Sequence, residues 1–130
     1  MKRILLVDDN ESFRRPLGEA LRRAGYEIQG AGDGSAALVL YQQQPFDLVI
    51  TDLIMPEKEG LETIIELHRL KPELKIIAMS GGGRMNPEDY LPMARQLGAA
   101  ATLAKPFTAE EILEVVDCLL DEPDHPDDTD

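Results

Sequence analysis

Four places along the chain set reactive side chains at the ends of apolar runs. Leu5-Leu6-Val7 leads into Asp8-Asp9, Leu48-Val49-Ile50-Thr51 into Asp52, Ile76-Ile77-Ala78-Met79 into Ser80, and the small-residue run Ala100 to Ala104 into Lys105-Pro106-Phe107. One such residue would mean little, because Asp and Ser are common turn formers and a lone Lys is usually solvated. Four on one rim converge. Three carboxylates within ~4 Å of one another repel by roughly 4 kcal/mol per pair at an effective dielectric near 20, so a cation must compensate. Hard carboxylate oxygens without imidazole or thiolate select Mg2+, or Mn2+, over zinc, and Mg2+ keeps waters that a phosphate oxygen can replace. The residues therefore suit phosphoryl chemistry. Asp52 is the natural nucleophile, since an aspartate can attack phosphorus and become an aspartyl phosphate, and the neighbours Asp8 and Asp9 serve better as metal ligands. The metal, the Lys105 ammonium, the Ser80 hydroxyl and backbone N–H groups would manage the charge on the remaining oxygens.

The elements that must position these residues alternate between short β-branched and aliphatic runs and longer stretches of helical period. Strands are expected at Arg3 to Val7, Glu27 to Ala31, Asp47 to Thr51, Lys75 to Met79 and Ala100 to Ala104. The first, third and fourth are nearly continuous apolar runs, as in strands covered on both faces. Between them, Phe13, Leu17, Ala20, Leu21 and Ala24 form a helical stripe that Gly25 can end in a left-handed cap. A second helix is expected from Asp33 to Gln44 with Ala37, Leu38 and Tyr41 inward, and a third with Leu61, Ile64, Ile65 and His68 on one face. Asn86 and Pro87 signal the start of a fourth helix. Thr108 and Glu111 make a capping box for a fifth, whose stripe is Ile112, Val115, Val116 and Leu119. Pro16 and Pro92 fall inside the first and fourth helices, where a late start or a kink is expected. Five β-then-α units imply an α/β doubly wound parallel sheet, whose sites lie beyond the carboxyl ends of its strands.

Length and composition narrow the function further. At 130 residues, with 43% hydrophobic and 29% charged side chains, the chain fits one domain with one core. A formal net charge of -12 opposes binding to nucleic acid or to an anionic membrane surface. Half of that charge sits in residues 121–130, which hold six acids, no base and two prolines and read as a disordered acidic tail, leaving 1–120 as the domain. Cys118 is the single cysteine, so no internal disulfide forms, and it reads as a small, partly buried filler on the fifth helix. The N-terminal apolar run is too short for a signal sequence or a membrane span, and a cytoplasmic setting is expected.

Taken together, the motifs resemble the receiver domains of two-component response regulators, in a pattern similar to the single-domain chemotaxis regulators. The resemblance covers residues 3 to 120. It rests on Leu6-Val7-Asp8-Asp9-Asn10, on Asp52-Leu53-Ile54-Met55-Pro56 followed by Gly60, on Ser80, and on Lys105-Pro106-Phe107. It implies a flavodoxin-like five-stranded sheet of order 2-1-3-4-5 with five helices, and a phosphorelay role in which Asp52 accepts a phosphoryl group from a phosphohistidine of a histidine kinase or phosphotransfer protein. It further implies that Asp9, Asp52 and the backbone carbonyl of Ile54 ligate Mg2+, that Asp8 acts through metal-bound water, and that Ser80 and Lys105 bind the phosphoryl oxygens. The Lys105-Pro106 bond is expected to be cis. Such a chain is a signalling phosphoacceptor, not a turnover enzyme. Without an output domain it is expected to act on a downstream protein through the face around the fourth helix, fifth strand and fifth helix.

Several positions depart from the family pattern. Thr102 stands where the family usually carries an aromatic that swings inward, so the Ser80 to Gly83 loop and the fourth helix are expected to carry the switch instead. Ile54 and Gly82 occupy the positions that tune water access, and neither side chain can orient a water; slow loss of the phosphoryl group is expected. Two alternatives stay open. A Mg2+-dependent aspartyl phosphatase of the haloacid dehalogenase type uses similar groups, but it needs an acid two residues after its nucleophile, and counting from Asp8 that place is Asn10. A phosphorylation-independent interaction module is the other. Elsewhere, Gly30-Ala31-Gly32-Asp33-Gly34 reads as a turn rather than a dinucleotide loop. A hydrolase triad of Ser80 with His68 gains no support from a histidine inside a helix. Arg15 and Arg22, two turns apart, read as a solvated face, with a kinase-docking patch as the sharper option.

Overall fold

The computed structural model describes residues 1–53, 60–80 and 87–120, with 60–61 and 87–91 described as helix backbone alone. Strands and helices alternate without exception: β1 Arg3–Val7, α1 Glu11–Arg23, β2 Glu27–Ala31, α2 Gly34–Gln43, β3 Leu48–Asp52, α3 Gly60–Leu70, β4 Lys75–Ser80, α4 Pro87–Leu97, β5 Ala101–Ala104 and α5 Ala109–Leu120. All five strands run parallel in the order β2-β1-β3-β4-β5. Among the described residues no helix is long and apolar enough to cross a membrane.

Period-two alternation divides the core between the two faces of the sheet. Leu5, Val7, Val49, Ile76 and Ala78 face one way and pack with Ala37, Tyr41, Ile64, Leu67 and Ala94 of α2, α3 and α4. Ile4, Leu6, Leu48, Ile50, Ile77 and Met79 face the other way and pack with Leu17, Leu21, Ile112 and Val116 of α1 and α5. Both faces of β1, β3 and β4 are thus covered, which is why those strands read as unbroken apolar runs.

The helix ends follow local chemistry. The Asn10 side chain accepts the Phe13 N–H and Asp33 accepts that of Ala36, each satisfying a free first-turn donor. Thr108 and Glu111 exchange two hydrogen bonds of 2.8 and 3.1 Å, the capping box expected at the start of α5. At the other end of α5, which has no basic residue in its last turn, Lys75 of β4 donates to the Leu119 carbonyl at 2.5 Å. Helix α4 begins at Pro87, while Asn86 lies outside the described residues.

Three expectations need correction. Helix α1 starts at Glu11 and α4 at Pro87, both ahead of their internal prolines, so of the two outcomes expected there, a late start or a kink, the late start does not occur. At Pro16 only the bond to the Ser12 carbonyl is forfeited, and burial of Leu17, Gly18 and Leu21 just beyond it offsets that loss. In α3 the inward stripe is Thr63, Ile64 and Leu67, whereas Ile65 and His68 are exposed. The helix is turned by about one residue, with the small Thr63 taking a buried place and Ile65 an exposed one. Cys118 is exposed rather than a partly buried filler.

Two glycines adopt positive φ, Gly25 at 104° after α1 and Gly98 at 131° after α4. A Cβ on Gly25 would meet nothing within 4 Å, but one on Gly98 would lie 2.9 Å from His68 Nδ1 and 3.0 Å from its Cγ. Gly25→Ala should therefore cost about 1–2 kcal/mol from backbone conformation alone, and Gly98→Ala more. Urea denaturation of both variants, with Gly98→Ala repeated in a His68→Ala background, checks this. The excess at Gly98 should shrink when the imidazole is removed, and equal costs at both glycines would exclude the steric contribution.

Candidate functional site

Parallel register brings the acidic residues to one rung. Val7 pairs with Thr51, so Asp8 comes abreast of Asp52, and Asp52 in turn pairs with Met79. Ser80 pairs with Ala104, which places Lys105 one step past the end of β5. Alternation fixes direction as well. Asp8 continues the series Ile4, Leu6; Asp52 continues Leu48, Ile50; and Lys105 continues Ala101, Leu103, all on the α1/α5 face. The polar residues meet because they extend the same apolar alternation beyond the point where the helices cover it.

Each group is held. The Asp8 backbone N–H donates to the Ala31 carbonyl, Asp8 Oδ1 accepts the Asn10 N–H at 2.9 Å, and Oδ2 accepts from Lys105 Nζ at 2.9 Å. Asp52 Oδ1 accepts the Leu53 N–H at 2.8 Å, and its Oδ2 lies 3.5 Å from the same ammonium. Asp8 is fully buried and Asp52 is 8% exposed, while Asp9 is open to solvent. Carboxylate oxygens of all three aspartates fall within 4.8 Å of one another. Lys105, mostly buried itself, partly neutralises this cluster. The Lys105-Pro106 peptide is cis.

The donor set fits a hard divalent cation. It consists of oxygen ligands only, two buried and one reachable from solvent, with no imidazole or thiolate among them. Ser80 Oγ is buried and, among the described residues, has no hydrogen-bond partner, which leaves a hydroxyl to be satisfied at the end of β4. Ile54 and Gly82 lie outside the described residues. Thr102 is half-buried in β5, level with Ala78 on the face opposite to Lys105.

Arg14 is a supporting residue that motif reading overlooked. Its guanidinium donates to the Asp8 backbone carbonyl. The side chain crosses β2 where a Cβ on Gly30 would come within 3.1 Å of its Nε. The Gly30-Ala31-Gly32 stretch is thus the bed of an arginine, and a glycine near the end of a short strand with a second just beyond it was its sequence signal. By contrast, Arg15 is exposed and pairs with Glu11 at 3.5 Å, and Arg22 reaches the Ile28 carbonyl. His68 stands on the exposed side of α3 and Ser80 at the end of β4, and no hydrogen bond joins them among the described residues.

Known proteins with this arrangement are numerous. The chain is 34% identical over 122 residues to the response regulator receiver protein CpdR of Brucella abortus, covering 92% of this chain and 98% of that protein. It is likewise 34% identical to the chemotaxis protein CheY of Thermotoga maritima over 116 residues, 88% of this chain and 94% of the other. The transcriptional regulator NtrC of Azospirillum brasilense is 35% identical over 114 residues, but these are only 23% of its length. Among solved structures, a CheY-like receiver domain protein of Methanospirillum hungatei superposes with a TM-score of 0.84 at 30% identity, covering 94% of this chain and 95% of that one. Residues 4–117 match the response regulator receiver domain as a family. With a family match over most of its length and relatives covered nearly end to end, the chain belongs to the receiver domains of two-component response regulators.

Proposed function

We propose that this chain works as a phosphoacceptor switch in which Asp52 takes a phosphoryl group from a phosphohistidine. The convergence of Asp8, Asp9 and Asp52, with Lys105 paired to Asp8 and Asp52, carries this reading. A carboxylate oxygen of Asp52 forms a bond to phosphorus as the phosphorus–nitrogen bond to the donor imidazole breaks, and the imidazole leaves with a proton. Held by Asp8, Asp9 and Asp52, with the Ile54 carbonyl as a further ligand, Mg2+ would neutralise charge on the phosphoryl oxygens. The Lys105 ammonium is placed to follow a phosphoryl oxygen, and the buried Ser80 hydroxyl is a donor for another. Gly82 and Ile54 leave the acyl phosphate without a side chain to orient water, which favours a long-lived phosphorylated state.

The donor in this reading is a histidine kinase or phosphotransfer protein in the cytoplasm. Single-receiver relatives such as CheY and CpdR are matched over nearly their whole length, which favours action through protein contacts. The face formed by α4, β5 and α5 is the proposed contact with a downstream protein. Thr102 provides no ring to rotate, so α4 and the segment before it carry the change. The acidic balance disfavours nucleic acid and membrane as direct partners.

Incubation with acetyl phosphate and Mg2+ should add one base-labile phosphate per chain, seen as a single mass increment, and Asp52→Asn should lose it. Unchanged labelling of that variant would remove Asp52 as the acceptor, and steady turnover of p-nitrophenyl phosphate would favour a phosphatase.

Relief of carboxylate repulsion by the cation should also appear as stability. For a Kd of about 1 mM, 10 mM Mg2+ contributes roughly 1.4 kcal/mol, or about 5 °C in Tm. EDTA should abolish the shift. Asp9→Ala should lose it too, and an equal shift in that variant would separate Asp9 from the metal.

A further inference from the structure

Lys105 has a neighbour that the phosphoryl chemistry does not require. Its Nζ lies 4.1 Å from the centroid of the Phe13 ring, on α1. The same nitrogen is 2.9 Å from Asp8 Oδ2 and 3.5 Å from Asp52 Oδ2. An ammonium has three N–H donors and no acceptor, so with two directions taken by carboxylates the aromatic face occupies the third side. Phe13 is fixed in turn by Phe107, which meets it edge to face with centroids 5.7 Å apart and planes at 87°. Phe107 stands two residues beyond Lys105, so one short segment supplies both the cation and the ring that orients its aromatic partner.

We propose that Phe13 is a positioning residue for Lys105. Lysine is a flexible four-carbon stem with a strongly hydrated tip, and two carboxylate partners leave one flank of the ammonium free to draw water and tilt outward. The negative face of the ring covers that flank, keeps water from it and favours the rotamer that holds the charge over Asp8 and Asp52. An aliphatic side chain at residue 13 would keep the helix packing, because Phe13 lies at the edge of the α1/α5 core layer. It would not attract the cation. The role therefore separates chemically from bulk burial, and it adds to the proposed phosphoryl transfer a constraint that comes from α1.

The test uses the whole chain and two readouts. In the unphosphorylated protein, ring current should shift the Lys105 ε-methylene protons upfield. Phe13→Leu should remove that shift, and Phe13→Tyr should retain it. For phosphorylation by acetyl phosphate with Mg2+, Phe13→Leu should slow the reaction by about fivefold, from the usual strength of a partly desolvated cation–π contact, and Phe13→Tyr should restore it. In a Lys105→Met background the same Phe13→Leu change should have no further effect. Unaltered ε-methylene shifts in Phe13→Leu, failure of Tyr to restore the rate, or an undiminished fivefold effect without Lys105 would each overturn the proposal. This inference rests on the function proposed above, and the two can fail separately. A protein that shows the expected shifts but accepts no phosphoryl group would refute that function while supporting the placement of Lys105 by Phe13.

Discussion

Like-charge repulsion among three carboxylates is the constraint around which the rest of this structure is arranged. Asp8 and Asp52 are buried on adjacent strands and Asp9 stands beside them, with oxygens of all three inside a 4.8 Å sphere of mutual distance. In a low-dielectric rim such crowding is unfavourable. It persists because Lys105, the Asn10 N–H and the Leu53 N–H each face a carboxylate oxygen. The apolar layers on both faces of the sheet hold the strands that impose this proximity, so stability of the core sustains strain at the site. A fold of this kind stores affinity for cations and for groups that bring cations with them.

Much of this was legible in the sequence because parallel strands buried on both faces leave a blunt signal. β1 and β2 were read to their end residues, while β3, β4 and β5 shifted by at most one residue at an end. The site residues were legible for a related reason, since polar residues ending apolar runs lie by topology on one rim. Sidedness within helices was less legible. In α3, Ile65 and His68 read as part of the inward stripe, but the apolar pattern of that helix admits two rotations. Burial of the small Thr63, with Ile65 left exposed, decides between them. Prolines at the sixth helical position of α1 and α4 suggested disruption, yet a start signal upstream and burial downstream outweigh one lost hydrogen bond.

What could not be read were contacts of second importance to any motif. Arg14 resembled its neighbours Arg15 and Arg22 in sequence, but it is Arg14 that lies across Gly30 and ends on the carbonyl of Asp8, whereas Arg22 ends on that of Ile28 and Arg15 pairs with Glu11. Phe13 counted as one more apolar residue in the α1 stripe, and nothing in spacing says which ring of a stripe will meet a cation from a segment some ninety residues away. The Phe13–Lys105 contact joins α1 to a strand end across long chain separation, and the Arg14 contacts join it to β2 and to the residue just after β1, neither of which helical periodicity encodes.

Helix α5 is fastened at both of its ends. Its first turn is locked by the reciprocal Thr108–Glu111 pair, and its last turn is tied by Lys75 to β4, inside the sheet. Helices commonly fray inward from their C-terminal ends, because the last carbonyls have no partner within the helix. Here the first step of such fraying must break a charged hydrogen bond to a strand that is covered on both sides. Local opening of α5 is thereby coupled to the cooperative unit formed by the sheet.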